Sequence, residues 1–162
     1  MNAKERVLKT MEFAHNCVGN LLKDFPEEKA TFQPCPTANH ALWILGHLAI
    51  TDEWLHGMIA DHKSQLPESY SKLFGYQSQV QSSPKAYPPF AEVKQNFQNV
   101  RDALLKAARS ASESDLTKPL GEKGGGFAFD GIDALDKTSW HEGWHAGQLS
   151  IIRRALGLKP TF

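Results

Sequence analysis

Apolar residues recur along this chain at intervals of three and four, the spacing that gathers them on one side of an α-helix, and they do so in four separate stretches. The first runs from about Lys4 to Asp24. Val7, Leu8, Met11, Ala14, Val18, Leu21 and Leu22 form its stripe, His15 sits beside that stripe as a partly buried residue with an ordinary hydrogen bond, and Phe25-Pro26 ends the run. Pro26 to Pro36 has the composition of a connector crossing the end of a bundle. The second stretch starts with Thr37 or Asn39 as cap and reaches about Ala60; His40, His47 and Trp54 share one stripe, flanked by Trp43, Ile44, Ile50 and Thr51. Ser64 to Pro89 is a long connection whose aromatic residues stand among Ser, Gln and Pro, with a short helix over Pro67 to Phe74; it is either a lid or a plain crossover. A third helix lasts from Phe90 to about Ala111. Phe90, Val93, Phe97, Val100, Leu104 and Leu105 form its apolar face, and Glu92, Lys94, Arg101, Lys106 and Arg109 read as its solvated one. The fourth helix runs from Ile132 to about Leu156, with Asp130 or Asp133 near its start and Gly157 and Pro160 stopping it. Four helical patterns with scarcely any strand signal predict an all-α four-helix bundle, a single domain over residues 1–162.

Charge narrows the partners. Eighteen basic and 18 acidic residues cancel to a formal net charge of zero, with none of the excess or clustering that nucleic-acid binding calls for. The charged start Met1-Asn2-Ala3-Lys4-Glu5-Arg6 lacks the apolar core of a signal peptide, and no stretch approaches a membrane span. Cys17 and Cys35 are too few for a disulfide framework, so a cytoplasmic protein with free thiols is expected. Lys123-Gly124-Gly125-Gly126-Phe127 has neither the preceding strand nor the following Gly-Lys-Ser/Thr of a phosphate loop.

The chemistry-bearing stretch is Trp140-His141-Glu142-Gly143-Trp144-His145-Ala146-Gly147-Gln148-Leu149. At about 100° per residue, His141 and His145 lie roughly 40° apart on one helical face, so both imidazoles can reach one ion. The letters also match the His-Glu-x-x-His signature of zinc proteases, which needs a third ligand. No His, Asp, Glu or Cys follows His145, so that ligand must lie upstream, and His47 at the centre of an apolar run is the best placed. Alone, His47 would read as a hydrogen-bonded core histidine. Three nitrogens leave a coordination position open for water or substrate, as in catalytic sites, and the set suits zinc while also serving nickel, iron or copper. Glu142 is placed either to act as a base on a bound ligand, to fix an imidazole, or merely to face solvent. Gln148, one turn beyond His145, either orients a substrate or bonds to a neighbouring helix. Trp140 and Trp144 read as core, Arg153 and Arg154 as cations suited to a helix C-terminus, and His40, His56 and His62 as exposed.

Leu42-Trp43-Ile44-Leu45-Gly46-His47-Leu48-Ala49, taken with His141-Glu142-Gly143-Trp144-His145-Ala146-Gly147-Gln148-Leu149-Ser150-Ile151-Ile152-Arg153, resembles the DinB-like (YfiT-like) metalloenzyme family. The resemblance implies a bundle whose second and third helices run parallel through a long crossover. It implies a divalent metal, usually zinc or nickel, on residues matching His47, His141 and His145, and in many members a homodimer. Characterised relatives include thiol-dependent S-transferases and an isomerase that use a low-molecular-weight thiol as cosubstrate. Ala146 departs from the pattern, standing where members often carry arginine. Three function classes follow: a transferase in which the metal activates a small thiol against a small-molecule electrophile, a metal-assisted hydrolase, and a non-enzymatic metal-binding stress-response protein.

Overall fold

A computed structural model describes residues 1–161, and in it each of the four long patterns is a helix. Helix α1 spans Ala3–Leu22 and opens on a reciprocal cap, in which Asn2 Oδ1 accepts from the Glu5 amide while Glu5 accepts from the Asn2 amide. Helix α2 spans Ala41–Ile59, the short α3 Ser69–Phe74, α4 Phe90–Ser110, the single turn α5 Glu113–Leu116, and α6 Gly131–Ala155. The Asp130 side chain caps α6 by accepting from the Asp133 amide at 2.8 Å, and Gly157, at φ 77°, turns the chain out of it. Among the described residues the extended pairing is one isolated bridge between Pro119 and Asp130, and no helix is long and apolar enough to cross a membrane.

Contacts far apart in sequence fix the directions. Leu135 clusters with Val7 and Met11, Glu142 meets His15, and Arg153 meets the carbonyl of Leu21, so α1 and α6 run parallel. Phe90 and Val93 pack with the Ala41 to Ala49 half of α2, while Arg101 meets Asp52, so α2 and α4 are parallel too. Parallel neighbours cannot be joined by a tight turn; the connection between α2 and α4 therefore climbs the length of the bundle. It is not loose: Tyr70 and Phe74 of α3 are buried in the core. Gly46 makes that docking possible, because a Cβ there would lie 2.4 Å from the Phe74 ring.

The interior is layered. One apolar cluster takes Val18 to Leu22 of α1, Ala41 to Ala49 of α2, Phe90 to Phe97 of α4, and Leu149 and Ile152 of α6. Another gathers Val7 and Met11 with Leu104, Leu105, Ala108 and Leu135. Between the two, each long helix contributes one charged or titratable side chain: His15, Asp52, Arg101 and Glu142.

Several expectations change at this level. Arg101 is not on a solvated face; it is fully buried. Arg153 is buried as well, donating to Leu21 O at 2.8 Å and to Asp24 Oδ1 at 2.6 Å, so it ties α6 to the end of α1. His40, expected to be exposed, is buried and caps α2 in place of Thr37 or Asn39: its Nδ1 accepts from the Trp43 amide at 3.0 Å and its Nε2–H donates to Gln81 O at 3.0 Å. His56 is buried too, and His62 stacks on it with ring centroids 4.0 Å apart. Trp140 and Trp144, expected in the core, are exposed, because the inward stripe of α6 is occupied by Ala134, Leu135, Thr138, Ser139, Glu142, His145, Leu149 and Ile152.

Candidate metal centre

His47 projects from the middle of α2, and His141 and His145 from successive turns of α6. Their ligand atoms all lie within 4.8 Å of one another. Zinc–nitrogen bonds of about 2.0–2.1 Å at a tetrahedral angle need nitrogens roughly 3.3 Å apart, so small side-chain adjustments suffice.

Hydrogen bonds leave specific nitrogens free. The Nδ1–H of His47 donates to the Phe74 carbonyl at 2.8 Å, which turns its Nε2 lone pair away from the crossover, and Trp43 stacks on the same imidazole at 4.6 Å and 11°. His145 donates its Nδ1–H to Gln148 Oε1 at 3.0 Å, and that oxygen also accepts from Asn39 Nδ2 at 3.2 Å. His145 Nε2 is therefore a lone pair, and it stands 3.1 Å from His141 Nε2. Only a proton or a cation between the two relieves that opposition, and His141 Nδ1 is buried without a hydrogen-bond partner. Burial, then the charge of neighbouring imidazoles, pushes the pKa of His141 down to about 3 and that of His145 to about 4; burial lowers His47 as well. All three are neutral donors near pH 7, the form in which imidazole binds a metal.

Beside the three nitrogens opens a cavity of about 920 Å³, walled by Trp43, Trp54, Tyr76, Phe127, Trp140 and Trp144. It has room for a small-molecule guest next to the histidines. A donor set that is neutral, held from behind at His47 and His145, and open on one side fits a divalent ion.

Glu142, one residue from His141, points elsewhere. Its carboxylate is fully buried, 2.5 Å from Arg101 Nη2 and 3.1 Å from His15 Nδ1, and it does not line the cavity. Arg101 also holds Asp52, Nε to Oδ2 at 3.1 Å. These groups are held by charge rather than by well-aligned hydrogen bonds, and Asp52 Oδ1 and Arg101 Nη1 have no partner. Burial accordingly pushes Asp52 up to about 7, against the pull of Arg101 and with the push of Glu142. Burial disfavours a charge on His15, yet its bond to Glu142 and the charge of that carboxylate outweigh it and raise the pKa. His15 Nε2 lies 3.0 Å from Gln98 Oε1, and Gln98 Nε2 donates to Asp102 Oδ1, so the amide presents its oxygen and the imidazolium can donate from both nitrogens.

The structure thus brings His47, His141 and His145 together, sets Gln148 behind His145, and turns Glu142 into a separate ion cluster. Sequence reasoning missed the roles of Asp52 and Arg101. A signal was present: Arg101 stands four residues after Phe97 and three before Leu104, squarely on the apolar face of its own helix.

These features define a class, the four-helix bundles with a long crossover that carry a three-histidine centre between two helices. Comparison with known proteins gives the particular family: the DinB superfamily model matches residues 12–149, and the chain belongs to that superfamily. No curated protein matches the chain.

Proposed function

We propose that the protein is a divalent-metal-dependent enzyme that transfers the sulfur of a low-molecular-weight thiol to a small electrophile, with His47, His141 and His145 holding zinc or nickel. The observation that carries this reading is the facing pair of Nε2 atoms, 3.1 Å apart, on His141 and His145 beside an open cavity. A bound ion would supply a Lewis acid that lowers the pKa of a thiol brought to it. In the transfer the thiol gives up its S–H proton to solvent, its sulfur forms a bond to the electrophilic carbon, and the leaving group departs with the electron pair that had held it.

The chain's own part is alignment. Gln148 fixes the tautomer and orientation of His145, the Phe74 carbonyl does the same for His47, and Trp43 covers one face of that ring. Glu142 acts as a positioning residue, holding α6 to Arg101 of α4 and His15 of α1 so that the neighbouring histidines face α2. A metal-assisted hydrolase has less support, since the glutamate of the His-Glu-x-x-His motif is engaged away from the cavity wall. The same reading takes a homodimer in the cytoplasm as the working form, which light scattering on the purified chain tests for assembly.

The deciding assay mixes zinc- or nickel-loaded protein with a panel of small thiols and a chlorinated nitrobenzene. Thiol-dependent product above the protein-free rate is expected. Loaded protein that gives none with any thiol overturns the transferase, and protein that takes up neither metal overturns the centre itself.

A further inference from the structure

The walls of the cavity beside the histidines are unusual in what they lack. Six aromatic side chains, Trp43, Trp54, Tyr76, Phe127, Trp140 and Trp144, line it, and no Asp, Glu, Lys or Arg does. Its polar lining side chains Asn39, Thr51, Ser78 and Gln148 are uncharged, and each makes at least one hydrogen bond within the fold. Asn39 Nδ2 donates to Gln148 Oε1, Ser78 Oγ accepts from Trp43 Nε1 at 2.9 Å, and Thr51 Oγ1 donates to the carbonyl of His47 at 2.9 Å. Lys137 lies over the Phe127 ring, 5.2 Å from its centroid, but its ammonium is tied to Asp133 Oδ2 at 2.7 Å and to the Phe127 carbonyl. A guest carrying several carboxylates or phosphates would lose its hydration here and, beyond the one ion the histidines are set to hold, meet no cation to pair with its further charges.

The aromatic walls, by contrast, are underused. Trp54, Tyr76, Trp140 and Trp144 are 46, 89, 58 and 60% exposed, and they make up half of the large hydrophobic side chains that the described residues leave to solvent. Concentrating exposed rings round one opening marks a binding surface. Their planes also suit a flat guest. Trp54 and Phe127 meet at 5.2 Å and 56°, Trp140 and Trp144 at 5.6 Å and 45°, so two tilted ring pairs offer both offset and edge-on faces. Trp43 is unavailable on one side because it stacks on His47. A cationic guest would find ring faces too, but at the histidine end it would confront the ion those nitrogens are set to hold.

We propose that the cavity selects a flat, uncharged aryl compound, received between the Trp54–Phe127 and Trp140–Trp144 pairs, and discriminates against guests bearing several anionic groups. The assignment rests on the metal-centre reading for what happens to the guest at the histidines, whereas the seating of the ring depends on the walls alone.

The test uses the full chain, zinc-loaded and metal-free, with binding followed by tryptophan fluorescence and calorimetry. Zinc content is measured separately on each sample. Benzyl mercaptan is expected to bind the zinc form about tenfold or more tighter than mercaptosuccinate, a dicarboxylate thiol of similar size. Naphthol, which has no sulfur, is expected to bind both forms. The double variant Trp54→Ala/Trp144→Ala should weaken naphthol by about tenfold, with thermal unfolding and zinc content unchanged, and Trp54→Phe/Trp144→Phe should restore most of the loss. Mercaptosuccinate binding as tightly as benzyl mercaptan, benzyltrimethylammonium binding more tightly than naphthol, or a double alanine variant that binds naphthol normally overturns the proposal. Chain that binds naphthol through these tryptophans yet takes up no zinc sinks the metal centre and leaves the aryl cavity standing.

Discussion

Two polar clusters sit one residue apart on α6, and they are built on opposite plans. His141 belongs to a group of neutral imidazoles whose ring nitrogens face one another and open onto a large cavity. Glu142 belongs to a sealed group in which a guanidinium, two carboxylates and an imidazole satisfy each other's charge at the centre of all four long helices. The first is arranged to take something in. The second is closed to solvent, and its cost of desolvation is offset only in part, since Asp52 Oδ1 and Arg101 Nη1 find no hydrogen-bond partner. Neighbouring positions on one helix can thus serve reception and cohesion separately, because about 100° of rotation points them at different surroundings.

Removing a member of each cluster should separate the two roles. The largest effect is expected for His47→Ala, which should lose most of its zinc after loading and desalting while its helix content and unfolding midpoint, measured without metal, stay near those of the parent. Full metal occupancy in that variant would mean that His47 is not a ligand. Next comes Arg101→Met, which strands Asp52 and Glu142 in the interior. Its cost, read by urea unfolding of the metal-free chain, should be about 3–5 kcal/mol. A near-neutral result would show that water reaches the cluster.

A third change acts where α3 docks on α2, behind His47. Gly46→Ala drives a methyl into the Phe74 ring, and overpacking of this kind costs about 1–3 kcal/mol. Because the Phe74 carbonyl holds His47, zinc affinity should fall with stability, whereas a purely local clash would leave it unchanged. The pH dependence of the sealed cluster gives a separate reading. Asp52 binds its proton more tightly folded than unfolded, with its pKa up from 3.8 to about 7, so its contribution to stability falls as pH rises across that window. His15, raised above 6.5 by Glu142, adds stability below that value and loses it on the alkaline side of its own folded pKa. Asp52→Asn, which cannot ionise, should therefore gain on the parent as pH goes from acid to neutral; parallel stability curves would show that Asp52 does not titrate in the fold.

Much of this was legible in the sequence. The four helices follow from apolar spacing, and the pairing of His141 with His145 from the pitch of a helix, because both are local properties. His47 could be singled out as the best-placed upstream candidate because it stands at the centre of an apolar run. What failed was the assignment of faces on α6. Tryptophan is usually a core residue, but here the inward stripe already holds Glu142 and His145, so Trp140 and Trp144 are rotated outward to the cavity. Arg101 and Arg153 were misread for a related reason: a cation is buried only when partners arrive from other helices, and no single-helix pattern contains Asp52, Glu142 or the Leu21 carbonyl as neighbours. His40 escaped notice as a cap because imidazole rarely fills that position, and its second partner, Gln81, is remote in sequence.

The bond from His47 to the Phe74 carbonyl joins a proposed ligand to the segment that links α2 with α4. Thermodynamic reciprocity then requires that whatever the crossover's order does for zinc affinity, zinc does in equal measure for the crossover's order. Amide protons of Ser69 to Gly75 should exchange with solvent more slowly once the ion is in place, making this stretch of backbone a reporter of occupancy at a centre to which it contributes no side chain.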